Sequence, residues 1–319
     1  VKAARPQISL LLALLACFGL QAVSGRIDTY NLEILINVGI SIILATSLNL
    51  INGYTGQFSL GHAGFMAVGA YMSAAVSMFV GPKFLPAFAF LGPEGSKAAL
   101  FFVALLLGGC SAAVAGFLVG TPSLRLKGDY LAIVTLGFGE IIRVVFRNVP
   151  GLGGSLGLNG IPPYTNLFWT FGSAVLTIYV VLSMVHSTYG RGFLAVHDDE
   201  VASEAMGINT TRYKIIAFVI GSFFAGIAGG LFSHLKLSID PKGFDFMRSI
   251  EIVVMVILGG MGNTVGVILA AILLTVLPEF LRPIQEYRMI IYSALLIVLM
   301  LTRPQGLFNF RNPWKRRAA

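Results

Sequence analysis

Residues 32–80 read LEILINVGISIILATSLNLINGYTGQFSLGHAGFMAVGAYMSAAVSMFV. Two apolar runs lie in this stretch, Leu32–Ile51 and Phe58–Val80. Each is long enough to cross a bilayer, for which a helix needs about 20 apolar residues. Between them Asn52–Gly64 (NGYTGQFSLGHAG) crowds glycines against polar side chains where hydrocarbon would surround the chain. Irregular backbone survives at that depth only when protein or a watery cavity covers its N–H and C=O groups. The stretch therefore predicts an all-α membrane bundle that contains broken helices.

Further apolar runs follow the same rule: Ile8–Val23, Ala98–Gly120, Tyr130–Val149, Leu167–His186, Ile215–Leu235, Ile252–Leu277 and Met289–Thr302. Phe84–Leu91 is too short to span and reads as a re-entrant or interfacial piece. Composition agrees: the 319 residues are 56% hydrophobic and 11% charged, against about 25% charged in a soluble domain. The expected architecture is one polytopic transmembrane domain over residues 1–319, with about 8–10 spans. Gly259–Gly266 (GGMGNTVG) interrupts the run Ile252–Leu277. Paired broken segments in the two halves of a chain mark inverted repeats and a mid-membrane substrate path. Tight packing through small residues is the alternative reading of the second break. Gly116 with Gly120, Gly226 with Gly230, and Gly262 with Gly266 have the spacing for such close approach.

The net charge of +8 is spread over short clusters between apolar runs: Lys2 and Arg5, Arg125 and Lys127, Arg212 and Lys214, and Arg311 with Lys315, Arg316 and Arg317. That is the pattern of cytoplasmic loops, and the lack of a single basic face argues against nucleic acid as a partner. An inside N-terminus puts Arg125/Lys127 and residues 187–214 inside after even numbers of crossings, but simple counting then leaves the basic tail outside. Breaking Ile252–Leu277 into two short crossings or one re-entrant pair repairs the parity. Lys2 and Arg5 before Ile8–Gly19 resemble a signal peptide, with a faint lipoprotein site at Leu14–Cys17. The many spans that follow favour an uncleaved first helix. Cys17 and Cys110, each in an apolar run, read as small packing residues.

Sites of covalent chemistry are not visible. There is no P-loop motif, so this chain does not bind ATP in that way, and there is no HExxH or CxxC for a metal. The run Gly151–Gly157 (GLGGSLG) reads as a flexible external loop. His197, Asp198, Asp199 and Glu200 form the one dense polar cluster, read as a solvated loop. They open the loop Tyr189–Lys214, which carries an amphipathic stretch: Val196, Ala202, Ala205 and Met206 are apolar, and Asp198, Asp199, Glu200, Ser203 and Glu204 polar. Gly207 is placed to end a helix. A short helix of this kind docks into a partner's groove or lies on the membrane surface.

The loop resembles the coupling loop of ABC-importer permeases, whose loose pattern is Glu-Ala-Ala and then Gly. Here Glu204-Ala205-Met206-Gly207 has Met at the third place. With Ile208 and the TRYK of residues 211–214, it is similar to the branched-chain amino-acid ABC permease family of the LivM type. LNLINGYTGQFSLGHAGFMAVGAY (48–71), GDYLAIVTLGFGEIIR (128–143), GGSLGLNGI (153–161), ILGGMGNTVG (257–266) and RPQGLF (303–308) extend that resemblance over about residues 30–308. It implies a bacterial inner-membrane subunit that pairs with a homologous second permease of the LivH type. Two cytoplasmic ATPase subunits would dock on the coupling loops, and a periplasmic binding protein would deliver the amino acid. ATP would be used by the ATPases, no cofactor would sit on this chain, and lipid would surround it. Asp198, Glu200, Glu204, Ala205 and Gly207 are the expected coupling residues.

For the cargo route, Asn49, Asn52, Gln57, Ser59 and His62 cluster at the first break and offer hydrogen bonds to an ammonium or a carboxylate. Phe58, Phe65 and Met66 would line an apolar cavity for a branched side chain. His62 alone also reads as a helix-packing hydrogen bonder. Glu140 and Arg143, three apart on one helix face, form a structural ion pair or a polar wall of the route. Glu251 reads as an interfacial residue. Two rivals remain: the same machine carrying urea or amides, and an ion-coupled secondary transporter with Glu140 as the coupling carboxylate. A membrane enzyme would need a catalytic constellation, which the sequence does not offer.

Overall fold

The computed structural model describes residues 27–84, 92–124 and 128–282, with scattered positions among 10–25 and 293–306. The expected spans Ile8–Val23 and Met289–Thr302, the piece Phe84–Leu91, and Arg125 with Lys127 fall wholly or mostly outside the described residues.

Ten helices organise the described residues. Helix α1 (Thr29–Asn49) runs on through a π-helical turn, Leu50–Tyr54. Helix α2 (His62–Ala75) extends through a second such turn, Val76–Val80, into Gly81–Phe84. Then come α3 (Gly92–Ser123), α4 (Asp129–Arg147), α5 (Leu167–Val185), α6 (Thr188–Asp198), α7 (Glu200–Ala205), α8 (Thr210–Lys236), α9 (Phe246–Gly259) and α10 (Thr264–Phe280). The later starts are set by side-chain caps: Asn166, Asn209, Asp245 and Asn263 each accept a first-turn N–H, which satisfies donors the helix itself leaves free.

Five described helices are long and apolar enough to cross a membrane: Thr29–Tyr54, His62–Lys83, Gly92–Ser123, Leu167–Val185 and Thr210–Lys236. Helix α4, expected as a span, is 19 residues long but is not among the five. Asp129, Glu140, Arg143 and Arg147 dilute its hydropathy.

The run Ile252–Leu277 is indeed broken, into α9 and α10. Lys236 at the end of α8 pairs with Glu33 at the start of α1, so these ends share one face of the bundle. The strand pair β1 (Leu158–Asn159) and β2 (Ser238–Ile239) closes that face. Pro241–Phe244 then leads inward to where Phe244 packs on Tyr71 and Phe232. Helix α9 descends to Gly260, and α10 climbs back until Glu279 accepts from Tyr30 Oη. Residues 240–280 therefore start and end on the face opposite the 187–214 loop, as either two short crossings or a re-entrant pair would.

The centre is α2, α3 and α8, which approach through small residues. Gly116 lies against Ser222, Gly120 against Phe218, and Gly230 against Leu105 and Ser73. A Cβ on Gly229 would stand 2.0 Å from the Met66 carbonyl oxygen. The third expected pair behaves differently: Gly262 faces Gly53 and Gly266 faces Gly259, so they fold a turn instead of packing two spans.

Two minor expectations are corrected. Cys17 is buried but Cys110 is exposed, because its side of α3 looks away from the bundle. The Gly151–Gly157 loop is built, not loose. It forms two 3-10 turns, Pro150–Leu152 and Gly154–Leu156, and Gly157 presses on the Ile239 carbonyl.

Gly229→Val is expected to destabilise the protein by about 1–3 kcal/mol through overpacking. Gly137→Ala, where nothing lies within 4 Å of the added carbon, should leave it unchanged. Thermal unfolding of the detergent-extracted protein, followed by size-exclusion chromatography, measures both.

Candidate functional site

The site grows from the end of α1. Asn49 closes a 21-residue helix, about 30 Å from its start at 1.5 Å per residue. That places the first break in the third of the bundle next to the 187–214 loop. The expected mid-depth position is therefore corrected: α1 is nearly a full span long before it breaks.

Below Asn49 the chain turns out to the loop face and climbs back. Thr55 Oγ1 and the Gln57 N–H both donate to the Ile51 carbonyl, at 2.8 and 3.1 Å. Asn52 clamps Ser59 from both sides: its Oδ1 accepts the Ser59 N–H at 3.2 Å and its Nδ2 donates to the Ser59 carbonyl at 3.4 Å. Thr135 Oγ1 accepts the Leu60 N–H at 3.0 Å, and Ser249 Oγ accepts the Ala63 N–H at 3.2 Å. These side chains replace the helical hydrogen bonds lost between Tyr54 and His62, as buried backbone requires.

The second break sits directly on the first. The Gly262 N–H donates to Asn49 Oδ1 at 2.9 Å. Tyr54 Oη and Thr264 Oγ1 are 2.8 Å apart. Gly53 has no Cβ because one would collide with Asn49 Oδ1 and the Gly262 nitrogen, at 2.1 and 2.3 Å. Of the expected route residues, the structure thus brings Asn49, Gln57, Ser59 and His62 together around one knot.

His62 Nε2 lies 2.9 Å from Ser47 Oγ. Ser47 Oγ also donates to the Leu44 carbonyl at 3.0 Å, so the ring nitrogen is left to act as the donor. His62 Nδ1, Asn49 Nδ2, Gln57 Oε1 and Ser59 Oγ are buried with no partner among the described residues. Phe65 does not line a cavity there. It packs edge-on against Phe218, centroids 5.4 Å apart, and Met66 is fully buried beneath Gly229. Glu140 and Arg143 pair at 2.6 Å, each one-third exposed. Glu140 borders a small cleft with Leu60, Gly64 and Asp245, beside the knot.

The polar loop is two helices with a kink at Asp199, where the sequence suggested one amphipathic stretch. Asp199 caps α7 through the Val201 and Ala202 N–H groups. At the other end Gly207 takes φ 84°. Its N–H donates to the Glu204 carbonyl and that of Ile208 to the Ser203 carbonyl, a complete Schellman stop. Glu204 accepts from Thr210 Oγ1 at 2.7 Å, tying the loop to the first turn of α8. Ser203 is the buried residue of α7 and packs toward the chain, while Val201 is 68% and Met206 83% exposed, with Ala202 and Ala205 beside them: an apolar face turned away from the bundle. Asp198 is largely exposed and stays near His197.

Lys214, on α8, joins loop and knot. Its side chain is 7% exposed and meets Glu200 at 2.6 Å, and its carbonyl oxygen accepts from Gln57 Nε2 at 3.5 Å. His197 lies against Gly56. Sequence reasoning missed Lys214 as a partner, although a lysine within the first turns of an apolar helix is costly unless paired.

The model of the permease component of branched-chain amino acid transport systems matches residues 30–300. The chain belongs to that family. It is a multi-pass membrane permease, 36% identical to the high-affinity branched-chain amino acid transport permease LivM of Escherichia coli K12, over 95% of this chain and 74% of that protein. It is 26% identical to the probable LivM of Methanocaldococcus jannaschii, over 86% and 92%. With the LivH of Salmonella typhimurium it shares 24% identity over 84% and 90%. No solved structure matches it.

Lys214→Met is expected to cost about 2–3 kcal/mol, at or below the lower end for breaking a buried pair because Glu200 is 22% exposed. Pairing it with Glu200→Gln should recover most of the loss in a thermal unfolding measurement.

Proposed function

We propose that this permease is one of two homologous membrane subunits of an ATP-driven importer that moves leucine, isoleucine and valine across the bacterial inner membrane. One of two cytoplasmic ATPases grips α6 and α7, the other grips the second permease, and a periplasmic protein delivers the amino acid to the opposite face. This chain performs no covalent chemistry and holds no cofactor. The family supports the cargo, and the similarity to LivM and LivH relatives alike supports a paired second permease.

One observation carries the mechanism: the loop is mechanically continuous with the broken helices. A partner that seats Val201 and Met206 in an apolar groove pulls on a six-residue helix capped at both ends. The pull reaches α8 through Lys214–Glu200 and Thr210–Glu204. It reaches the first break through His197 on Gly56 and Gln57 on the Lys214 carbonyl. From there Asn49 passes it to Gly262 and the second break. Two breaks held by a few hydrogen bonds are cheaper to rearrange than an intact helix, so motion concentrates where the backbone is already irregular.

In proteoliposomes that contain the whole importer, labelled leucine should enter only with ATP and the loaded binding protein. Excess valine should compete and urea should not. Urea competition equal to valine's would move the cargo to the amide class. Uptake without the ATPases would end the importer reading. Val201→Asp with Met206→Asp should reduce both uptake and co-purification of the ATPases at least about tenfold, as loss of apolar anchors at an interface does.

A further inference from the structure

On the side where α1, α9 and α10 meet lies a 330 Å³ cavity that the coupling route does not use. Its size falls within the range of small-molecule sites, ~300–1,000 Å³. Each helix offers one stripe. Ile34, Asn37 and Ser41 come from α1; Arg248, Glu251 and Met255 from α9; Leu274, Thr275 and Glu279 from α10. The α1 and α9 stripes both follow i, i+3, i+7 spacing, one face of a helix.

The lining carries charges of both signs. Arg248 pairs with Glu251 at 2.9 Å through one nitrogen and lies 5.9 Å over the Phe232 ring, which leaves further guanidinium donors for a second anion. Glu279 supplies a carboxylate. Thr275 Oγ1 is shielded from solvent and has no hydrogen-bond partner among the described residues. Pro278 lies inside α10, so the Leu274 carbonyl one turn earlier is deprived of its helical donor. Ile34, Met255 and Leu274 provide apolar surface between these groups.

We propose that this cavity is the subsite that receives the amino acid as a zwitterion. Arg248 holds the carboxylate in charge-assisted hydrogen bonds. Glu279, with the Thr275 hydroxyl and the Leu274 carbonyl, takes the ammonium. The aliphatic side chain rests on Ile34 and Met255. Urea carries neither charge nor an aliphatic arm, so the subsite rejects it. This inference rests on the importer reading and names where its cargo is held.

The test uses the complete importer in proteoliposomes at saturating leucine-loaded binding protein, and reads leucine moved per ATP hydrolysed. If the wild type moves no leucine, the functional reading itself fails. If it does, Arg248→Gln should lower leucine per ATP about tenfold, the size of one charged hydrogen bond, with ATPase activity retained. The exchanged pair Arg248→Glu with Glu251→Arg restores the ion pair but moves the cation, and should stay impaired. Thr275→Val, nearly isosteric, should lower the ratio about threefold. Wild-type coupling in Arg248→Gln, or recovery in the exchanged pair, would show Arg248 to be structural only and overturn the subsite. If Arg248→Gln does not assemble, Thr275→Val decides: an unchanged ratio overturns the proposal and a lowered one upholds it.

Discussion

A polypeptide inside a bilayer has no water to satisfy its backbone, and this permease breaks two helices there nevertheless. The hydrogen bond from the Gly262 N–H to Asn49 Oδ1 is where the two exceptions meet. Each break covers the other, and Asn52, Thr135 and Ser249 supply the remaining acceptors for the first. Removing any of these acceptors would leave a buried N–H without a partner, at about 1–3 kcal/mol. The polar residues of the knot are therefore structural before they are anything else.

That arrangement divides the bundle into a stiff part and a movable part. The α2–α3–α8 centre is closed by glycine contacts too tight for a side chain, and such packing is bistable at best, not gradually deformable. The knot, by contrast, hangs on a small number of hydrogen bonds beside a loop anchored by one buried ion pair. A force applied to α6 and α7 meets the rigid core through α8 and the yielding breaks through Gly56 and Gln57. The unpartnered buried atoms of His62, Gln57 and Ser59 mean that an alternative arrangement of the knot can gain hydrogen bonds that this one lacks. Such a balance suits an element that has to switch between two states.

Much of this was legible in the residues. Glycines and amides inside an apolar run announced both breaks, and the basic residues on alternate loops asked for a chain that turns back near residue 260, as two short crossings or one re-entrant pair. Gly207 announced its helix stop. Depth was misjudged because a break marks an interruption in sequence without giving the length of helix that precedes it in space. The burial of Ser203 under α7 was not legible, because a six-residue helix is too short for periodicity to declare which polar residue turns toward the bundle. Arg248 escaped notice, although Arg248, Glu251 and Met255 share one helical stripe. Nothing in a single helix tells that α1 and α10 bring a second and third stripe to face it.

The sequence by itself determined that the chain lives in a membrane, which segments are helical and where helices break. Those properties follow from transfer energies and local backbone chemistry, which act residue by residue. Only the tertiary structure decided that Asn49 caps Gly262, that Lys214 neutralises Glu200, and that charges from α9 and α10 share a cavity. Asn49 and Gly262 are 213 positions apart. Contacts at such separation depend on how helices cross, and crossing is fixed by the shape of whole packed surfaces, which no local pattern encodes.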